Sequence, residues 1–169
     1  QTWNGTQNAT GRCTATISRN GDLVHRMYLE IDGATAQQVT NNPGALWITD
    51  VEVEIGGQKI DKQTGLWMET WAELTEPNPT GMTFGAESVD QTGGTQFQRM
   101  SLMGGVSASG AGPSDANYYI PLQFWFCRNP GLALPLIALQ YHEVKIILNH
   151  TYSTSFGGTG SNRLFCDYI

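Results

Sequence analysis

A mostly-β sandwich, with a jelly roll as its leading form, is the fold this sequence predicts. Apolar and polar residues alternate with period two in several short segments. Glycine, proline and asparagine punctuate the chain between them. Only one stretch repeats its apolar residues at helical spacing.

The strand segments read in order. "RCTATISR" and "LVHRMYLEID" flank Asn20-Gly21, a dipeptide that suits either a hairpin turn or a sharp corner. In "DVEVEI" the acids Asp50, Glu52 and Glu54 alternate with Val51, Val53 and Ile55, the pattern of a half-buried strand whose acidic side meets solvent or a neighbouring subunit. Gly56-Gly57 follows and supplies the positive φ of a tight turn. "YYIPLQFWFC" places Ile120, Leu122, Phe124 and Phe126 on one face of a strand, with Pro121 at an edge or at the strand's start. "HEVKIIL" sets Val144, Ile146 and Leu148 opposite Glu143 and Lys145, and "RLFCDYI" is the last strand.

One short helix is predicted near 65–75. Leu66, Trp67, Trp71 and Leu74 form its apolar face, Thr64 caps it and Pro77 ends it. Residues 76–117 are rich in Gly, Ser, Thr and Pro and read as a long loop. No internal repeat and no linker divides the chain, so 169 residues are expected to form one domain around one core.

The stretch "NPGLALPLIALQYHEVKI" is apolar yet heavily punctuated. Asn129-Pro130-Gly131 ends a strand and turns the chain. Pro135 fixes its own φ and restricts Leu134 before it, which argues against a long helix or a central strand. A rigid crossing between sheets is expected, burying Leu132, Leu134, Leu136, Ile137 and Leu139 at a corner of the sandwich.

Composition narrows the function. Only 14% of residues are charged and the net charge is −6, so a basic nucleic-acid-binding face is not expected. No apolar run approaches the roughly 20 residues of a membrane helix, and no membrane insertion is expected. Cys13, Cys127 and Cys166 cannot all pair within the chain and lack metal-site spacing, so they read as buried free thiols. His142 and Glu143, adjacent on a strand, point to opposite faces. His142 and His150 share a face but stand about 26 Å apart. His25 has no neighbour in sequence that would make it a ligand. The acidic row could hold calcium, but a solvated face is the plainer reading. Trp67 and Trp71 could stack on sugars, although helical spacing favours a core role. No nucleophile elbow, phosphate loop or dinucleotide motif occurs. No catalytic residue, metal or cofactor is therefore expected. Asn4, Asn8 and Asn149 head N-x-[ST] triplets, which matter only on a secretory route.

Four blocks carry a family resemblance. "IPLQFWFCRNPGLALPLIALQYHEVKIIL" closely resembles the region from the F to the H strand in the major capsid protein of nucleocytoplasmic large DNA viruses, the chlorella virus and iridovirus type. "ISRNGDLV", "VEVEIGGQKIDK" and the terminal "CDYI" resemble further blocks of that family in the same order. The resemblance implies the first, eight-stranded antiparallel jelly roll of a double jelly roll. It implies a virion protein that forms homotrimeric, pseudo-hexagonal capsomers of an icosahedral shell and meets neighbouring capsomers and minor capsid proteins. The chain is then expected to be a fragment over 1–169, truncated in its first and last strands, with the second jelly roll absent. A carbohydrate-binding β-sandwich module is the alternative, and a cupin-type enzyme would need clustered histidines that this sequence does not place together.

Overall fold

The computed structural model describes residues 1–7, 9–31, 47–77, 96–101, 118–151 and 162–169. Its strands are β1 (Asn4–Gly5), β2 (Gly11–Thr16), β3 (Leu23–Ile31), β4 (Ile48–Ile55), β5 (Gln58–Thr64), β6 (Tyr118–Pro121), β7 (Leu134–Pro135), β8 (Val144–His150) and β9 (Arg163–Tyr168). The helices are α1 (Gly65–Thr75), α2 (Gln96–Ser101) and α3 (Trp125–Arg128), with a 3-10 turn at Pro130–Leu132.

Two antiparallel sheets face each other. One has the order β1-β2-β8-β4-β5. In the other, β3 pairs with β9 and also with β6 and β7. β8 is the central strand of the larger sheet. Its Ile146 pairs with Ala15 on one side and Val53 on the other. Cys13, Ala15, Val51, Val53, Val144, Ile146 and Leu148 from this sheet join Val24, Met27, Leu29 and Ile31 of β3 in a single core. The period-two reading of "DVEVEI" and "HEVKIIL" thus puts the correct residues inside.

Both glycine turns find their reasons. Gly56 and Gly57 have φ of +58° and +83° and close the β4–β5 hairpin. A Cβ on Gly56 would come within 2.6 Å of the His142 ring. Asn20-Gly21 is a corner and not a hairpin, because β2 lies in one sheet and β3 in the other. A Cβ on Gly21 would meet the Tyr168 side chain at 2.9 Å, so glycine lets the corner sit against β9.

"YYIPLQFWFC" is not one strand: β6 ends at Pro121, and the chain turns through α3. Pro121 lacks the N–H that would continue a ladder, so it lies at the strand's end. Ile120, Leu122, Phe124 and Phe126 are nevertheless all buried, and the Phe124 and Phe126 rings stack at 5.6 Å. The stretch 76–117 is not loop throughout, since α2 lies within it; residues 78–95 and 102–117 fall outside the described residues.

α1 forms where it is expected. Its length and its Thr64 cap, whose hydroxyl accepts from the Trp67 N–H, are as expected. Its buried face is not. Gly65, Met68 and Ala72 pack inward, whereas Leu66 and Leu74 are 77% and 76% exposed and Trp67 is 43% exposed. The helix packs on β4 and β5, and Gly65 and Ala72 on its inward side permit a close approach.

The corner after α3 behaves as a rigid crossing, with differences. The Asn129 side chain accepts from the Gly131 N–H at 2.9 Å. It follows a helical turn and not a strand. Leu134 and Leu136 are buried and Leu139 is partly buried, but Leu132 and Ile137 are exposed. The N–H groups of Leu136 and Ile137 both donate to the Asp22 carbonyl, which fixes the crossing to the start of β3.

Leu136→Ala leaves a void at a side chain that is 1% exposed. It is expected to destabilise the fold by about 2–5 kcal/mol, read from urea denaturation midpoints, and a loss below about 1 kcal/mol would disprove the core assignment.

Candidate functional site

The outer face of the larger sheet carries the acidic row of β4. Cross-strand pairing brings Asp50 opposite Asn149 of β8, and Glu52 opposite Lys62 of β5. Lys59 Nζ lies 2.7 Å from Glu52 Oε1. Lys62 Nζ lies 3.1 Å from Asp50 Oδ2 and 3.3 Å from Glu52 Oε1. Asn149 Nδ2 donates to Asp50 Oδ1 at 2.5 Å.

Asp50 and Glu52 are therefore buried beneath lysine stems, which corrects the expectation of a solvated row; Glu54 is half-buried. The hydrogen bond from Lys59 holds the Glu52 carboxyl below its ordinary 4.5, with Lys62 adding to the effect and burial opposing it. The cluster is neutralised by its own sheet, a geometry for fixing strand register and not for proton transfer. Glu143 and Lys145 form a separate ion pair at 2.8 Å beside Thr16.

The histidines stay apart. His142 sits in the turn before β8, not on the strand, and its ring lies against Gly56. His150 is buried, and its Nε2 donates to the Thr6 carbonyl at 2.7 Å. Burial lowers its pKa below the ordinary 6.5. His25 Nδ1 donates to the Phe126 carbonyl at 2.8 Å and ties β3 to α3. Among the described residues no cluster of three or more His, Cys, Asp or Glu could hold a metal ion.

Cys13, Cys127 and Cys166 are free. Burial raises Cys13 and Cys127 to about 12 and Cys166 to about 11. All three stay protonated near neutral pH, and a protonated thiol is a poor nucleophile and a poor metal ligand.

Trp67 and Trp71 pack on each other with centroids 5.8 Å apart. The Arg128 guanidinium lies 4.1 Å from the centroid of the Trp71 ring. The expected core role fails for Trp67, which is 43% exposed, and holds only in part for Trp71, which is half-buried beside Arg128. No sequence signal linked Arg128 to Trp71, since the two are brought together only when α3 folds against α1. Of the N-x-[ST] asparagines, Asn4 is exposed and Asn8 lies outside the described residues. Asn149 is half-buried in β8 with its amide bonded to Asp50, a poor position for attaching a sugar. No helix among the described residues is long and apolar enough to cross a membrane.

Two facing antiparallel sheets with a neutralised outer face and tied-down corners define a structural β sandwich of the jelly-roll class. The chain belongs to the family described as major capsid protein N-terminus, whose model matches residues 1–156. It is 44% identical to the major capsid protein of Pyramimonas orientalis virus, over 100% of this chain and 42% of that protein. It is 45% identical to that of Phaeocystis pouchetii virus, over 88% of this chain and 33% of that protein. It is 36% identical to that of Paramecium bursaria Chlorella virus 1, over 100% of this chain and 38% of that protein. The fold matches a crystal structure of PBCV-1 VP54, fitted into a cryo-EM reconstruction of the virophage Sputnik, with a TM-score of 0.71 and 30% identity over 99% of this chain and 40% of that chain. A quasi-atomic model of the PBCV-1 virus capsid matches with a TM-score of 0.68. The chain thus spans well under half the length of these relatives.

Acid should weaken the fold in two stages. His150 is lowered in the folded state, so its contribution is full above 6.5 and is lost as pH falls through its folded value. Glu52 is also lowered, so its contribution is full above 4.5 and is lost at still lower pH. Urea denaturation from about pH 7 to about pH 3 should show both declines, with Glu52→Gln flattening the second. An unchanged acid limb in Glu52→Gln would mean that the lysine pairing is not coupled to stability.

Proposed function

We propose that this chain is the N-terminal jelly roll of a viral major capsid protein and that its role is structural and not catalytic. The observation that carries the reading is the family match over 1–156, together with a fold similarity that extends over 99% of the chain. The protein works by geometry: a rigid sandwich presents its faces to copies of itself. Three copies form a capsomer of pseudo-hexagonal outline, and capsomers meet one another and minor capsid proteins in an icosahedral shell of the virion.

Residues 1–169 are read as one jelly-roll domain, with its first and last strands continuing beyond these residues and a second jelly roll completing the full-length protein. The length of the curated relatives, more than twice that of this chain, supports this.

Intact mass spectrometry of purified virions tests the domain reading, and native mass spectrometry of the full-length protein tests the assembly. A polypeptide more than twice this length that runs as a trimer is expected. A native chain ending at Ile169 would overturn the two-domain reading, and a monomeric full-length protein would overturn the capsomer.

A further inference from the structure

A cavity of about 440 Å³ opens where β3, α1, β6 and α3 meet, beside α2. That volume falls in the range of roughly 300–1,000 Å³ usual for small-molecule sites. Its walls include Arg26, Tyr28, Trp71, Glu76, Gln123 and Arg128. Two guanidiniums against one carboxylate leave a local charge of +1, in a chain whose net charge is −6.

One cation is held in place, and the other, Arg26, is exposed on β3 and acts on Glu76 through its charge. Arg128 is held by its Nε, which donates to the Gln123 carbonyl at 3.0 Å, and by the Trp71 ring beneath it. Among the described residues neither Arg128 nor Arg26 makes an ion pair within 4.0 Å. A guanidinium with uncommitted terminal nitrogens offers a planar fork suited to a carboxylate. The Gln123 side-chain amide also makes no hydrogen bond among the described residues. Burial raises the Glu76 carboxyl above its ordinary 4.5, with the charge of Arg26 opposing this.

We propose that this cavity binds an acidic sugar, whose carboxylate seats on Arg26 and Arg128 and whose hydroxyls meet Glu76 and Gln123. The mixed lining selects this class. Glu76 accepts hydrogen bonds from hydroxyls but repels a doubly charged phosphate. A neutral sugar leaves both guanidiniums unused, and Arg128 already occupies one face of Trp71, so simple stacking there does not suffice. Tyr28 and Trp71 give apolar walls for the C–H groups of a sugar ring. This binding role goes beyond self-assembly and does not depend on it.

Isothermal calorimetry on the full-length protein, with D-glucuronate, D-glucose and inorganic phosphate as probes, tests the site. Glucuronate should bind saturably, and glucose and phosphate at least about tenfold more weakly. Arg26→Gln should weaken glucuronate by about tenfold or more with an unchanged melting temperature. Glu76→Gln should tighten phosphate. The proposal is overturned by glucuronate that gives no saturable heat, by glucose or phosphate that binds as tightly, or by a folded Arg26→Gln protein with parental affinity. If Arg26→Gln fails to fold, Arg26→Lys keeps the charge and removes the fork, and full affinity there overturns the assignment equally. Phosphate binding unchanged in Glu76→Gln would refute the exclusion by Glu76.

Discussion

The rest of the structure depends on the insertion of β8 between β2 and β4. Residues 145–150 pair with 11–16 on one side, and 144–150 pair with 48–55 on the other. Closing such long loops is entropically unfavourable, and it is offset only when both faces of the strand are covered. β8 meets that condition with Val144, Ile146 and Leu148 on the core side and Ile147 buried on the other. Once it is seated, β4 brings the β5 hairpin, and the lysines of β5 settle over Asp50 and Glu52.

That dependence explains why polar groups are spent on positioning. His150, at the end of β8, holds the segment after β1 through the Thr6 carbonyl. Asn149 clamps β8 to β4 through Asp50. Arg19 donates to the carbonyls of Leu139 and His142, so the corner before β8 is fastened to the end of β2. Tyr168 donates to the Ser18 carbonyl and receives the Gln1 amide, which joins β9 to both the corner and the chain's beginning. Each of these bonds links residues distant in sequence. Together they give a frame whose shape is set at its corners.

Strand segments were legible wherever one face is wet and the other dry, because a period of two then appears directly in the residues. "DVEVEI" and "HEVKIIL" are of that kind. The Gly56-Gly57 turn was legible for a related reason, since only glycine tolerates those φ values without strain. Legibility failed at "YYIPLQFWFC", where alternating apolar residues continue into a helical turn and burial no longer implies a strand. It failed again at α1, where Leu66, Trp67 and Leu74 of the apolar spacing are exposed.

The sequence by itself determined the β class, the main core residues of β4 and β8, the turn at Gly56-Gly57 and the presence of a punctuated corner. These are local properties: alternation, propensity and backbone freedom act within a few residues. Only the tertiary structure decided that Asp50 and Glu52 are covered, that α1 turns Met68 and Ala72 inward, that Ile137 faces solvent, and that Arg128 lies over Trp71. Those outcomes depend on which distant segment arrives alongside. Lys62 reaches Asp50 only through the β4–β5 register, and Arg128 reaches Trp71 only after α3 closes on α1, so neither contact leaves a pattern along the chain.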